Sequence, residues 1–222
     1  GSAPEILSAA RRPAPGTDSA LLADIASVFI DPLGGQTELY QGIHAVYTRA
    51  GVEREGELEV LPGARLQGIR IHKGDGRYAD VLVGEKRPVS LPGLEPGDAI
   101  EYVWRRYIPP YEPVPGCLDN RTLFLFQGED REYVLSRYVL THDKDVPLEV
   151  CGNTRGLTAT DETRGNLRVR SFTARQMPRL APEPHIADPL EVVPNVRLGL
   201  GMTWADVGEL ARSALAGMLL PD

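Results

Sequence analysis

SLPGLEPGDAIEYVWRRY, residues 90–107, joins two structural signals end to end. Its first half is a turn. Pro92-Gly93 and Pro96-Gly97-Asp98 combine a fixed φ with the positive-φ freedom that tight turns need. Its second half alternates: Ile100, Tyr102, Trp104 and Ile108 share one parity, while Glu101, Val103, Arg105 and Tyr107 take the other. Period-2 alternation rich in aromatic and β-branched residues predicts a half-buried strand. It carries one of the two tryptophans, so Trp104 is placed in the core of a β domain. Asp98 and Glu101 read as turn and surface residues.

Outward from this strand, the same alternation recurs between short breakers. Toward the N-terminus, Ile25–Ile30 is closed by Asp31-Pro32-Leu33-Gly34-Gly35, and Thr37–Thr48 by Gly51. Glu57–Leu61, Leu66–His72 and Tyr78–Val83 follow, punctuated by Pro62-Gly63 and Gly74-Asp75-Gly76. The Asp-Gly pair there predicts a hairpin turn with both central residues at positive φ. Toward the C-terminus, the proline-rich loop from Pro109 to Asn120 excludes a central strand. Thr122–Phe126, Glu132–His142, Leu148–Cys151 and Leu167–Thr173 resume the pattern, with a turn at Asp161–Asn166. Many short strands at this spacing predict a mainly β fold: an antiparallel β-sandwich, immunoglobulin-like or a larger two-sheet form. Residues 1–21 read as a linker and 22–176 as the sandwich. Residues 177–201 read as proline-spaced extended chain lying against it. In 202–222 the period changes: Trp204, Val207, Leu210, Ala211, Ala214, Leu215 and Met218 make one amphipathic helix, whose apolar stripe must pack on something.

Bulk composition narrows the function classes. The chain has 222 residues, 42% of them hydrophobic, and a net charge of −7. No basic tract is present, which disfavours nucleic acid, and no apolar run reaches the ~20 residues that span a bilayer. Gly1-Ser2 reads as the remnant of a cleaved tag, so the lack of a leader says nothing about compartment. Cys117 and Cys151 fit no zinc spacing; they are either a disulfide or two independent thiols. Neither opens a helix, where a thiol would be activated.

Four ordered motifs resemble the bacterial β-sandwich domain of unknown function that precedes transglutaminase-like (papain-like) cores. They are HAVYTRAGVE at 44–53, IRIHKGDGR at 69–77, SLPGLEPGDAIEYVW at 90–104, and LAPEPHIADPLEVVPNVRLGLGMTWADVGEL at 180–210. The resemblance covers roughly Leu22 to Leu210. It departs at 61–63 and in parts of 152–166. It implies an exported, extracytoplasmic protein with no catalytic residues in this region, and a Trp204-led helix that opens the next domain. It also implies a glutamate at Glu183, which reads as a buried carboxylate pinning the exit segment to the sheet, with a substrate role as the rival reading.

Local spacing assembles no catalytic triad, metal set or cofactor cradle, and no cofactor is expected. His142, Asp143 and Asp145 read as a strand-end loop, with a calcium site as the rival reading. Tyr107 and Tyr111 beside Arg105 and Arg106 form the candidate binding platform for a peptide or sugar. Gly97, Asp98, Trp104, Glu183 and Trp204 read as structural. The sequence therefore predicts a non-catalytic accessory module that positions or regulates a downstream transglutaminase-like domain and takes a protein or peptide partner. The alternative is a cell-envelope scaffold module that binds polysaccharide or protein.

Overall fold

The computed structural model describes residues 6–7, 16–84, 87–110, 123–181, 189–200 and 204–219. Among them are thirteen strands and three helices. The strands are β1 (Ser19–Ile30), β2 (Gln36–Val46), β3 (Glu57–Leu58), β4 (Arg65–His72), β5 (Tyr78–Asp80), β6 (Val89–Ser90), β7 (Ala99–Ile108), β8 (Leu123–Leu125), β9 (Glu132–Asp143), β10 (Leu148–Cys151), β11 (Thr158–Arg164), β12 (Leu167–Met177) and β13 (Asn195–Leu200). The helices are α1 (Arg49–Glu55), α2 (Pro189–Val192) and α3 (Trp204–Leu219).

The Pro-Gly-Asp motif strand, β7, pairs along its whole length with β2 and, on its other side, with β4. They belong to an eight-stranded sheet of order β11-β12-β9-β1-β2-β7-β4-β5. Its pairings are antiparallel except β1 with β9. A parallel pair needs a long crossover, and here everything from β2 to β8 makes it. Two smaller sheets cover the inner face of the large one. The three-stranded sheet β10-β13-β8 brings Phe126, Leu148, Val196 and Leu198 onto Val28, Ile30, Tyr138, Leu140 and Phe172. The β3-β6 ribbon and its flanks bring Val89, Leu91 and Leu94 onto Val46, Ile69, Ile71 and Ile100. This is the mainly β sandwich that the alternation predicts.

Four boundaries differ from the sequence reading. Ser19–Leu21 belong to β1 rather than to a linker, and Ile6 is buried in a third cluster with Leu22, Ile43 and Ala99. Gly51 does not end a strand. It sits inside α1, which Thr48 caps by accepting from Gly51 N at 3.2 Å. A Cβ on Gly51 would lie 2.2 Å from the Asp18 carbonyl oxygen, so glycine answers a close approach there. Asp161–Arg164, read as part of a turn, belongs to the strand Thr158–Arg164. The turn is Gly165-Asn166, with Gly165 at φ 65°, the position where a type II′ hairpin takes glycine. Finally, Asn195–Leu200 of the exit segment is not chain draped on the sandwich: as β13 it is the central strand of the smaller sheet.

Two turns also differ in detail. In Gly74-Asp75-Gly76 only Gly76 has positive φ, 87°, and Lys73 and Arg77 close a three-residue loop. Asp98 is not a surface residue; it is 4% exposed. It accepts from Lys73 Nζ at 2.6 Å and from the Glu95 amide at 2.8 Å, tying the two turns together. Glu101 is likewise engaged, by His72 Nε2 at 2.9 Å and Gln41 Nε2 at 2.8 Å.

Gln36 is fully buried beside Ile108, and neither its Nε2 nor its Oε1 has a hydrogen-bond partner among the described residues. An unsatisfied buried amide costs about 1–3 kcal/mol. Gln36→Leu should therefore raise the unfolding free energy by about 1–2 kcal/mol. Urea denaturation reads this, and a destabilised variant would mean that the amide is satisfied in solution.

Candidate functional site

Between the two covered halves of the inner face lies a seam of polar side chains. It is drawn from α1, β1, β2, β7, β9 and the segment before β9. Asp24 interrupts an otherwise apolar β1 and is 6% exposed. Tyr40 Oη donates to its Oδ1 at 2.8 Å and Ser136 Oγ to its Oδ2 at 2.7 Å. Burial nevertheless pushes the Asp24 carboxyl up to about 6, against the pull of these two hydroxyls.

The other end of the seam is Glu55, on the last turn of α1. It accepts from Ser19 Oγ at 3.0 Å and from Arg131 at 2.6 Å, and it meets His44 Nδ1 at 2.9 Å. Burial works against its charge. The hydrogen bond and charge of His44, then those of Arg131, outweigh it and hold the carboxyl at about 2. Arg131 also approaches His44 Nδ1 at 2.8 Å. Its charge-assisted bond to Glu55 is the stronger. On its other side, His44 Nε2 meets Tyr102 Oη at 3.2 Å. Tyr102 and Tyr40 stand side by side, ring centroids 5.8 Å apart. Burial raises the phenol of Tyr102 to about 12, and it also pushes that of Tyr40 well above its ordinary value.

The seam thus joins two carboxylates through His44, Tyr102 and Tyr40. Gly42 permits it: a Cβ there would come within 2.5 Å of the Tyr102 ring. Trp104 continues the aromatic row, stacked on Tyr40 at 5.0 Å, with the Arg106 guanidinium 5.6 Å above its ring. Chemically, the arrangement pairs a carboxyl held ionised with one that titrates near neutrality, a pattern also used for acid–base work. Here each of those groups is bonded to its neighbours in the sheet.

Strand parity divides the platform expected from the sequence. Arg105 and Tyr107 are exposed on the outer face of the large sheet. Arg106 points to the inner face and pairs with Glu38 at 2.7 Å. Tyr111, Glu183 and Cys117 lie outside the described residues. Cys151 is a free, exposed thiol. Trp104 is buried, and Gly97 has φ 96° in the turn before β7. Trp204 is 88% exposed, and Val207 and Leu215 on the same helix are also open.

The His142 cluster is not a cation site. His142 is fully buried, donates from Nδ1 to the Asp143 carbonyl at 2.7 Å and meets Arg170 at 3.3 Å through Nε2. Burial, its largest influence, lowers its pKa. Among the described residues no group of His, Cys, Asp or Glu is arranged to hold a metal ion.

No protein-family model matches the chain, and no curated protein sequence matches it. Among solved structures, its fold is similar to that of a candidate protease from Parabacteroides distasonis. That likeness has a TM-score of 0.71 at 15% identity, and covers 90% of this chain and 43% of that one. The M1 zinc metallopeptidase from Deinococcus radiodurans overlaps 82% of this chain and 42% of its own, at 14% identity and a TM-score of 0.42. That overlay is too loose to carry an argument, and the first likeness concerns the fold alone. The chain spans under half the length of each.

Proposed function

We propose that this chain is a non-catalytic sandwich module that positions a transglutaminase-like catalytic domain of the same polypeptide. The observation that carries this reading is α3. Its first residue, Trp204, is 88% exposed, Val207 is 37% exposed and Leu215 is 56% exposed. A helix with these three apolar side chains in water gains stability only when something covers them. The Trp-led helix is also where the resembling family begins its catalytic domain. The candidate protease of similar fold uses less than half its length for this architecture. The polar seam fits the same reading, because its carboxylates are spent on bracing the sheet. Export to the cell envelope is part of the proposal through the family resemblance.

The test is the coding sequence past Asp222. The reading requires a further domain there, carrying a Cys, His and Asp series. Added as a separate chain, that domain should shift Trp204 emission to the blue and bind saturably, with both effects lost in Trp204→Ala. A continuation lacking the series, or hydrolase activity in the 222-residue chain alone, would sink the proposal.

A further inference from the structure

Arginine in this protein is usually paired. Arg70 meets Asp80, Arg106 meets Glu38, Arg131 meets Glu55, and Arg168 meets Asp161. Four arginines on the outer face of the large sheet depart from this. Arg65, Arg105, Arg137 and Arg175 are exposed, and none has an ion pair among the described residues.

Their register makes the departure costly. Arg65 stands directly opposite Arg105 across β4 and β7. Arg137 faces Thr173 and Arg175 faces Leu135 across β9 and β12, so these two arginines are diagonal neighbours. Like charges at such positions destabilise a sheet. Neither pair is relieved from its own face. The outward positions of Ile25–Phe29, Thr37–Gln41, Val103–Tyr107, Arg137–Thr141 and Val169–Arg175 include no Asp or Glu.

Beside the pairs the face carries exposed apolar side chains. Phe29 is 41% exposed, Leu39 47% and Tyr107 55%. Thr37 links Phe29 to Tyr107 across β1, β2 and β7, and Leu39 faces Arg105 one row along. Beside Arg65, Arg105 and Tyr107 lies an open depression of about 500 Å3. By strand spacing the two arginine pairs are about 15 Å apart.

We infer that this face docks an acidic amphipathic segment of a partner protein. Its carboxylates take the two arginine pairs, and its apolar side chains cover Phe29, Leu39 and Tyr107. Arginine forks match carboxylates in bidentate fashion and are well suited to this. A helix would span the pairs with acidic residues about ten positions apart. A polyanion without apolar groups would leave Phe29, Leu39 and Tyr107 uncovered. A second copy offering α3 is a poorer fit, because Glu209 there is already paired with Arg212. This face is separate from α3, so its failure and that of the domain-docking reading are distinguishable.

The test uses the isotope-labelled 222-residue chain and a helical peptide with glutamates about ten positions apart and leucines between them. The expected result is saturable shifts at Phe29, Leu39, Val103 and Val139. Binding should weaken roughly tenfold in Arg105→Glu and again in Arg137→Glu, and vanish in Leu39→Asp. Arg65→Glu separates binding from folding. It places a carboxylate opposite Arg105, so Tm should rise by about 1–3 °C while peptide affinity falls. Three results would overturn the inference: no shifts on this face, equal affinity for polyglutamate or alginate, or self-association that Leu39→Asp abolishes. The second would make it a general polyanion site, the third an interface between copies.

Discussion

Arg131→Met should destabilise the protein by about 3–5 kcal/mol at pH 7. Arg131 and Glu55 are both largely buried, with side-chain exposures of 14% and 8%, and their contact is 2.6 Å. Removing the guanidinium leaves Glu55 with Ser19 and His44 as its partners in a setting that otherwise disfavours its charge. The loss is therefore that of an uncompensated buried carboxylate, well above the ~1 kcal/mol ceiling of an exposed pair. Urea denaturation at neutral pH measures it, and the double variant Arg131→Met with Glu55→Met should recover part of the loss. The acid limb of the stability profile gives an independent readout. Glu55 sits at about 2 when folded, against 4.5 for the free side chain. It therefore contributes stability above pH 4.5 that disappears as pH falls toward 2. That limb should be shallower in Arg131→Met. A cost below about 1 kcal/mol would mean that the seam behaves as ordinary surface charge.

Asp24 works in the opposite sense, and its replacement separates charge from hydrogen bonding. Its folded pKa of about 6 lies above the usual 3.8, so the folded state holds a proton that the unfolded chain releases. Stability from this group is fully present below pH 3.8 and is lost as pH rises through 6, an effect of about 3 kcal/mol by pH 7. Asp24→Asn keeps an acceptor for Tyr40 and lets Ser136 turn to accept from the amide. It should raise stability at pH 7 by up to about 3 kcal/mol and flatten the profile between pH 4 and 6. Asp24→Leu strands both hydroxyls and should cost about 2–4 kcal/mol. Thermal unfolding of the three proteins at pH 4 and pH 7 decides the matter. If Asn and Leu behave alike, the hydroxyl bonds to Asp24 contribute nothing.

These residues also show what the sequence made legible. Alternation in Ala99–Ile108, and in the strands flanking it, is a local property imposed by the pleat, so it could be read without knowing any partner. The edge strand Thr158–Arg164 could not: it is exposed on both faces, and a strand without a buried side leaves no hydrophobic period. Gly51 misled because its role is to let α1 approach Asp18, a contact between segments far apart in the chain. Asn195–Leu200 followed a proline-spaced stretch, and its place in the sheet depends on β8 and β10 rather than on its own pattern.

The seam was hidden for the same reason. Asp24, His44, Glu55, Tyr102, Arg131 and Ser136 come from separate elements, so no spacing rule joins them. The one local signal was Asp24 itself, a carboxylate inside the apolar run Ala20–Ile30. The candidate platform was half legible. Tyr107 and Arg105 share the outer face as period 2 requires, and the same rule turns Arg106 inward to Glu38. The arginine pairs of the outer face needed the register of four strand pairings before they could be seen.

The proposed module docks through its surfaces while the polar seam holds the sheet rigid, and amide hydrogen exchange of the chain, alone and with the domain proposed to follow Asp222, is the measurement that decides it. Alone, β1, β2 and β7 should exchange only through global unfolding, and α3 should exchange nearly as fast as free peptide. With the domain present, α3 should become protected while the seam strands stay unchanged. Protection of α3 in the isolated chain, or opening of the seam strands when the domain binds, would rule this mode of action out.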